Sequence, residues 1–127
     1  MRFTDIDPDQ AIIKRFIPFC AKQLGMTDLP KIEIFNNPEF SMTIKAFANY
    51  NINDDHIKLN THGRQIMDTL RTLAHEMVHA AQNRGLVQAD LDSDLPGEGI
   101  EHIANSLAGV IMRRWGKAHP ELFSRSQ

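Results

Sequence analysis

The sequence predicts a single α+β domain. Apolar positions recur at helical spacing in three segments, and short alternating runs lie between the first two of them. The 127 residues contain no internal repeat, low-complexity tract or Gly/Ser linker that would divide the chain. A chain of this length supports one core and buries roughly two-thirds of the surface that its unfolded form exposes.

The first helix starts at Asp7-Pro8-Asp9-Gln10, with Asp7 able to cap, Pro8 suited to the first turn and Gln10 in the capping-box position. Ile12, Ile13, Phe16, Ile17, Cys20 and Leu24 form its apolar stripe, Pro18 is expected to kink it, and Gly25 can close it. Lys31 to Phe35 alternates as a strand, and Asn36-Asn37-Pro38 is a turn. A second extended stretch runs from Ser41 to about Tyr50, a polar turn from Asn51 to Asp55, and a third short strand from His56 to Asn60. Hairpin spacing predicts a small, mostly antiparallel sheet, with room for one parallel strand.

From about Arg64 to Arg84 the pattern is helical, with Ile66, Leu70, Leu73, Met77 and Ala81 on one stripe and Gly85 as the stop. Leu86 to Gly97 reads as a loop whose Asp90, Asp92 and Asp94 lack the glycine and glutamate of a calcium-binding loop. A third helix is expected from about Gly99 to Trp115, its core face made of Ile100, Ile103, Leu107, Val110 and Ile111. Arg113, Arg114 and Lys117 near its end suit the negative pole of the helix dipole.

The balance of charge narrows the function. A formal net charge of -2 gives no basic face for general nucleic-acid binding. Cys20 is the one cysteine, so no internal disulfide forms and a reducing compartment is compatible. No run approaches the ~18 apolar residues of a membrane span, and Met1 to Asp7 lacks the apolar core of a signal peptide. The expected product is a soluble cytoplasmic protein without membrane partners.

His75-Glu76-Met77-Val78-His79 sets the pattern H-E-x-x-H inside the second predicted helix. Residues four apart on a helix differ by about 40° in angle and ~6 Å in rise, so both imidazoles project to one side. There they can approach one Zn²⁺, while Glu76 beside them can take a proton from water without being a ligand. A catalytic zinc needs a third protein ligand. Glu98, Glu101, His102 and His119 are the candidates downstream. Glu101 and Asn105, flanked by the small Ala104 and Ala108, share a face of the third helix that could meet the motif helix, with Asn105 free to hydrogen-bond a ligating imidazole.

The two patterns together, His75-Glu76-x-x-His79 and Glu101-x-x-Ala104-Asn105, resemble the gluzincin metallopeptidases, and Asn105-Ser106-Leu107-Ala108 is similar to the third-ligand helix of small ImmA/IrrE-type members. The segment Thr72 to Ala80 also resembles phage-type short zincins and SprT-like proteins. The latter use a third histidine placed before glycine, whereas His102 precedes Ile103 and His119 precedes Pro120. The resemblance covers about a third of the chain and implies a zincin-like domain over residues 1–127. It implies one zinc on His75, His79 and Glu101, Glu76 as general base, Asn105 in support of the ligands, and peptide-bond hydrolysis. It also implies that an edge strand before the motif helix pairs with an extended protein or peptide substrate, either around Phe47 to Tyr50 or along 56–60.

Tyr50, His56, His62 and His102 are candidate donors to a developing oxyanion. A zinc-retaining binding or regulatory module is the alternative to an enzyme. A purely structural zinc is disfavoured, because such sites draw on several cysteines. The small size points to narrow specificity set by the edge strand, or to a protein partner that confers it.

Overall fold

The computed structural model describes residues 8–36, 48–87 and 98–121. Among these residues three helices and a three-stranded sheet follow one another as α1 (Pro8–Leu24), β1 (Lys31–Phe35), β2 (Ala48–Asn51), β3 (His56–Asn60), α2 (Ile66–Asn83) and α3 (Glu98–Ala118). This is the α+β class expected from the sequence.

Helices α1 and α2 end alike, and glycine is the cause. Gly25 and Gly85 adopt φ of 73° and 76°, the left-handed conformation that a side chain disfavours. The Met26 N–H then reaches back to the Ala21 carbonyl at 2.9 Å and the Gly25 N–H to Lys22 at 3.2 Å. At the second site Leu86 bonds Ala81 at 2.9 Å and Gly85 bonds Gln82 at 3.1 Å. Both are Schellman closures that satisfy the last free carbonyls of the helix. Helix α1 continues through Pro18 to its end.

The sheet order is β1-β3-β2, so β3 is central. It pairs antiparallel with β2 (Tyr50 opposite Ile57) and parallel with β1 (Ile32 beside Ile57). The mostly antiparallel sheet expected from hairpin spacing is therefore mixed. Among the described strands only β2 and β3 form a hairpin, and β3 inserts between its partner and β1, returning to the direction of β1. Strand β2 is also shorter than the extended stretch read from the sequence, and Ser41 to Phe47 lies outside the described residues. The hairpin turn is held by Asn51, whose Oδ1 accepts the Asn53 and Asp54 N–H groups at 2.9 and 3.3 Å.

The core fills the space between the helices and one face of the sheet. Ile13, Phe16 and Cys20 of α1, Leu70, Leu73, Met77 and Val78 of α2, and Ile57 and Leu59 of β3 have no exposed surface. Trp115 of α3 closes one end, with Phe16 and Phe19 edge-on to its ring at 5.2 Å between centroids. The buried face of α3 is made by Ala104, Ala108, Ile111, Met112 and Trp115. Ile100, Ile103, Leu107 and Val110, expected in the core, are only partly covered. The alanines explain the rotation: where α3 crosses α2, the small face lets the backbones approach, and the larger residues flank the contact. No helix among the described residues is long and apolar enough to cross a membrane.

Candidate metal centre

Helix α2 carries the motif because its apolar stripe is buried to one side, leaving a polar strip facing α3 and β2. His75 and His79 fall one turn apart on that strip, with ring centroids 4.6 Å apart and planes near perpendicular. Their Nε2 atoms are 3.0 Å apart. Glu101 reaches across from α3 and straddles the pair, with Oε1 at 2.9 Å from His75 Nε2 and Oε2 at 3.2 Å from His79 Nε2. Among the described residues this is the trio whose ligand atoms lie together as a metal would require.

The spacing fits a tetrahedral ion. Bonds of ~2.0–2.1 Å to a central zinc place neighbouring ligand atoms about 3.3 Å apart. The three contacts here span 2.9 to 3.2 Å, those of His75 and His79 to Glu101 being made to different oxygens of its carboxylate. The donor set, two imidazoles and a carboxylate, is one that catalytic zinc uses while leaving a coordination position open.

The candidate residues divide clearly. His75, His79, Glu101 and Glu76 line one cleft of about 600 Å³, together with Ala48, Tyr50, Ile52 and Ile100. Asn105, one turn past Glu101, is exposed and does not border that cleft; it makes no hydrogen bond to either imidazole. His79 Nδ1 is met by Gln82 instead, its Oε1 at 2.9 Å, and the Gln82 amide donates to the Ile100 carbonyl at 3.1 Å. His102 is exposed, being turned about 100° from Glu101 on the helix. His119 is stacked on Trp115, with centroids 3.7 Å apart. Glu98 opens α3, and its side chain lies outside the described residues.

Glu76 sits between the motif and the sheet. Its carboxylate accepts a hydrogen bond from the Tyr50 N–H. Burial raises its pKa above the usual carboxylate value, and the nearby His79 and His75 pull in the opposite direction. A carboxylate so placed is a stronger base than one in water.

Of the four candidate oxyanion donors, Tyr50 alone borders the cleft. Its hydroxyl donates to Asp55 Oδ1 at 2.6 Å and accepts from Asn83 Nδ2 at 3.0 Å, so its proton points away from the ligands. Arg84 continues the chain of contacts, with Nη2 2.5 Å from Asp55 Oδ2 and Nη1 on the Asp28 carbonyl. These bonds tie the hairpin turn to the end of α2. His56 instead faces Glu33 at 3.3 Å, and His62 Nδ1 lies 2.8 Å from Asn36 Oδ1.

Gln82, Asn83 and Arg84 were not singled out from the sequence. The available sign was Gln82 three residues after His79, a spacing that puts both on one helix face. Comparison of the chain with protein-family models, curated proteins and solved structures gives no match.

Proposed function

We propose that this protein is a zinc-dependent metallopeptidase with a zincin-like arrangement, in which His75, His79 and Glu101 hold the metal and Glu76 is the general base. The convergence of Glu101 on both motif imidazoles carries the reading, because sequence spacing brings only the two histidines together. When bound there, zinc supplies Lewis acidity, polarising the scissile carbonyl and bringing the pKa of the attacking water toward ~7. Glu76 takes the proton of that water and returns it to the leaving amine. Partial burial beside the cleft raises the basicity of Glu76, and the Tyr50 N–H orients its carboxylate.

The edge of β2 supplies a place for substrate. Among the described strands β3 is central and β2 lies at an edge, which favours the 47–50 segment over 56–60. Along an antiparallel strand, alternate residues turn both backbone polar groups to the same side. Since the Tyr50 N–H turns to Glu76 and away from β3, the N–H and C=O of Ala48 turn to that open side too. An extended peptide can pair with them beside the cleft, by strand addition. The proposed substrate is therefore a protein or peptide in extended conformation.

Metal analysis of the wild type and Glu76→Gln, with both incubated against a peptide library read by mass spectrometry, tests this. The expected result is about one zinc per chain in both proteins and cleavage by the wild type alone. Absence of zinc after loading overturns the metal assignment. Zinc without cleavage transfers the reading to a binding or regulatory module.

A further inference from the structure

We propose that Gln82 is the positioning residue of this centre, fixing the tautomer of His79 and holding the Glu101 end of α3 in place; the proposal rests on the metal reading above. Gln82 has 9% of its surface exposed and, with Asn60 and Thr69, is one of three buried polar residues among those described. Burying a polar side chain is costly unless its hydrogen-bonding groups are met. Both ends of this amide have partners, and the partners determine which way round it lies.

The Ile100 carbonyl can only accept, so the group 3.1 Å from it is the Gln82 NH₂. The inverted amide would set two acceptors against each other. Gln82 Oε1 consequently faces His79 Nδ1 at 2.9 Å, and that nitrogen carries the proton. A neutral imidazole has one N–H, so the lone pair of His79 is on Nε2, aimed at His75 Nε2 and Glu101 Oε2. His79 Nε2 and the Glu101 oxygen then meet at 3.2 Å as two electron-pair donors, an arrangement that repels until a cation joins them. One side chain thus turns the second histidine into a ligand.

The same side chain acts on the third ligand. Ile100 directly precedes Glu101, so the Gln82–Ile100 bond anchors α3 at the position from which Glu101 reaches over. Losing a group that orients a metal ligand typically costs 10–100-fold in metal affinity.

The test uses full-length protein and zinc as the probe. Long-range ¹H–¹⁵N correlation on metal-free wild type should identify His79 as the Nδ1–H tautomer, and Gln82→Leu should show a tautomer mixture. Zinc titration against a chromophoric chelator should show a 10–100-fold loss for Gln82→Leu. Gln82→Glu keeps an acceptor for Nδ1–H but no donor for Ile100, and should hold His79 in the wild-type tautomer with a loss of less than tenfold. Gln82→Met, similar in length, stands in if the leucine variant does not fold. An Nε2–H tautomer in the metal-free wild type overturns the proposal. Wild-type zinc affinity in the leucine or methionine variant overturns it too while leaving the metal reading intact. A wild type that takes up no zinc overturns the metal reading, and the role of Gln82 toward the metal with it.

Discussion

Replacing Ala104 by leucine should separate the two halves of the proposed metal centre without touching a proposed ligand. Ala104 is fully buried one turn past Glu101, in the core where α3 packs against α2. Three added carbons have no space there, and overpacking of this kind costs about 1–3 kcal/mol through off-rotamer side chains and backbone shifts. The contacts among the His75, His79 and Glu101 side chains span 2.9 to 3.2 Å. Metal sites tolerate deviations of about 0.2 Å in ligand distance, so a displacement of α3 on the order of 1 Å takes Glu101 out of bonding range. Zinc affinity should fall at least tenfold, which is about 1.4 kcal/mol. Ala104→Gly is the control. It costs about 1 kcal/mol of stability through helix propensity and leaves the close approach intact, so its affinity should stay within a few-fold of wild type. Chelator competition gives the affinities, and thermal unfolding of the metal-free proteins gives the stabilities. A folded Ala104→Leu protein with wild-type affinity would refute the idea that close packing of the helices delivers Glu101.

Two further outcomes are expected. The hydrogen bond from Tyr50, followed by the Arg84 contact, holds the Asp55 carboxyl below its usual value, against the opposing pull of burial. The unfolded chain then takes up this proton first on acidification, so the contribution of Asp55 is present above the unfolded value of about 3.9 and is lost as pH falls through the folded one. The stability difference between wild type and Asp55→Asn, followed by denaturant melts at several pH values, should shrink below about pH 4; a difference constant with pH would contradict this. Burial pushes the Cys20 thiol up to about 12, and the side chain has no exposed surface. A thiol reagent at neutral pH should modify it only after unfolding, and rapid labelling of the native protein would show that α1 opens readily.

The parts of the molecule legible in the sequence were those governed by local rules. Helix ends at Gly25 and Gly85 follow from left-handed backbone that glycine alone adopts freely, and the structure places both there. The side-by-side placement of His75 and His79 follows from helix geometry. Features set by long-range pairing were less accessible. A five-residue alternating strand pairs equally well in either direction, so Lys31 to Phe35 gave no sign of its parallel partner. The rotation of α3 depended on where its alanines meet α2, which no local pattern states, and in it Asn105 is exposed. Gln82 was hidden by its polarity: its spacing puts it on the face of His79, but nothing local marks a glutamine as buried when its partners come from the preceding turn and from another helix.

The proposed centre has two origins, and they place different demands on the fold. His75, Glu76, His79 and Gln82 all lie on α2, so the helical repeat sets their mutual geometry whenever that helix is formed. Glu101 comes from α3, and its place depends on a tertiary contact. Its side chain is 59% exposed, against 20% and 15% for His75 and His79. Solvent weakens an exposed charge pair far more than a sheltered one, so the Glu101 contacts add little to the docking of α3 by themselves. Docking must come from Ala104, Ala108, Ile111 and Trp115 in the core, with the Gln82–Ile100 bond at the site end. Under the zinc reading, a metal held by both helices would bind the docked form alone and stabilise it by mass action. The apolar face of α3 thus does two jobs: it completes a core for a short chain, and, under that reading, it delivers the third ligand to a pair that α2 has already arranged.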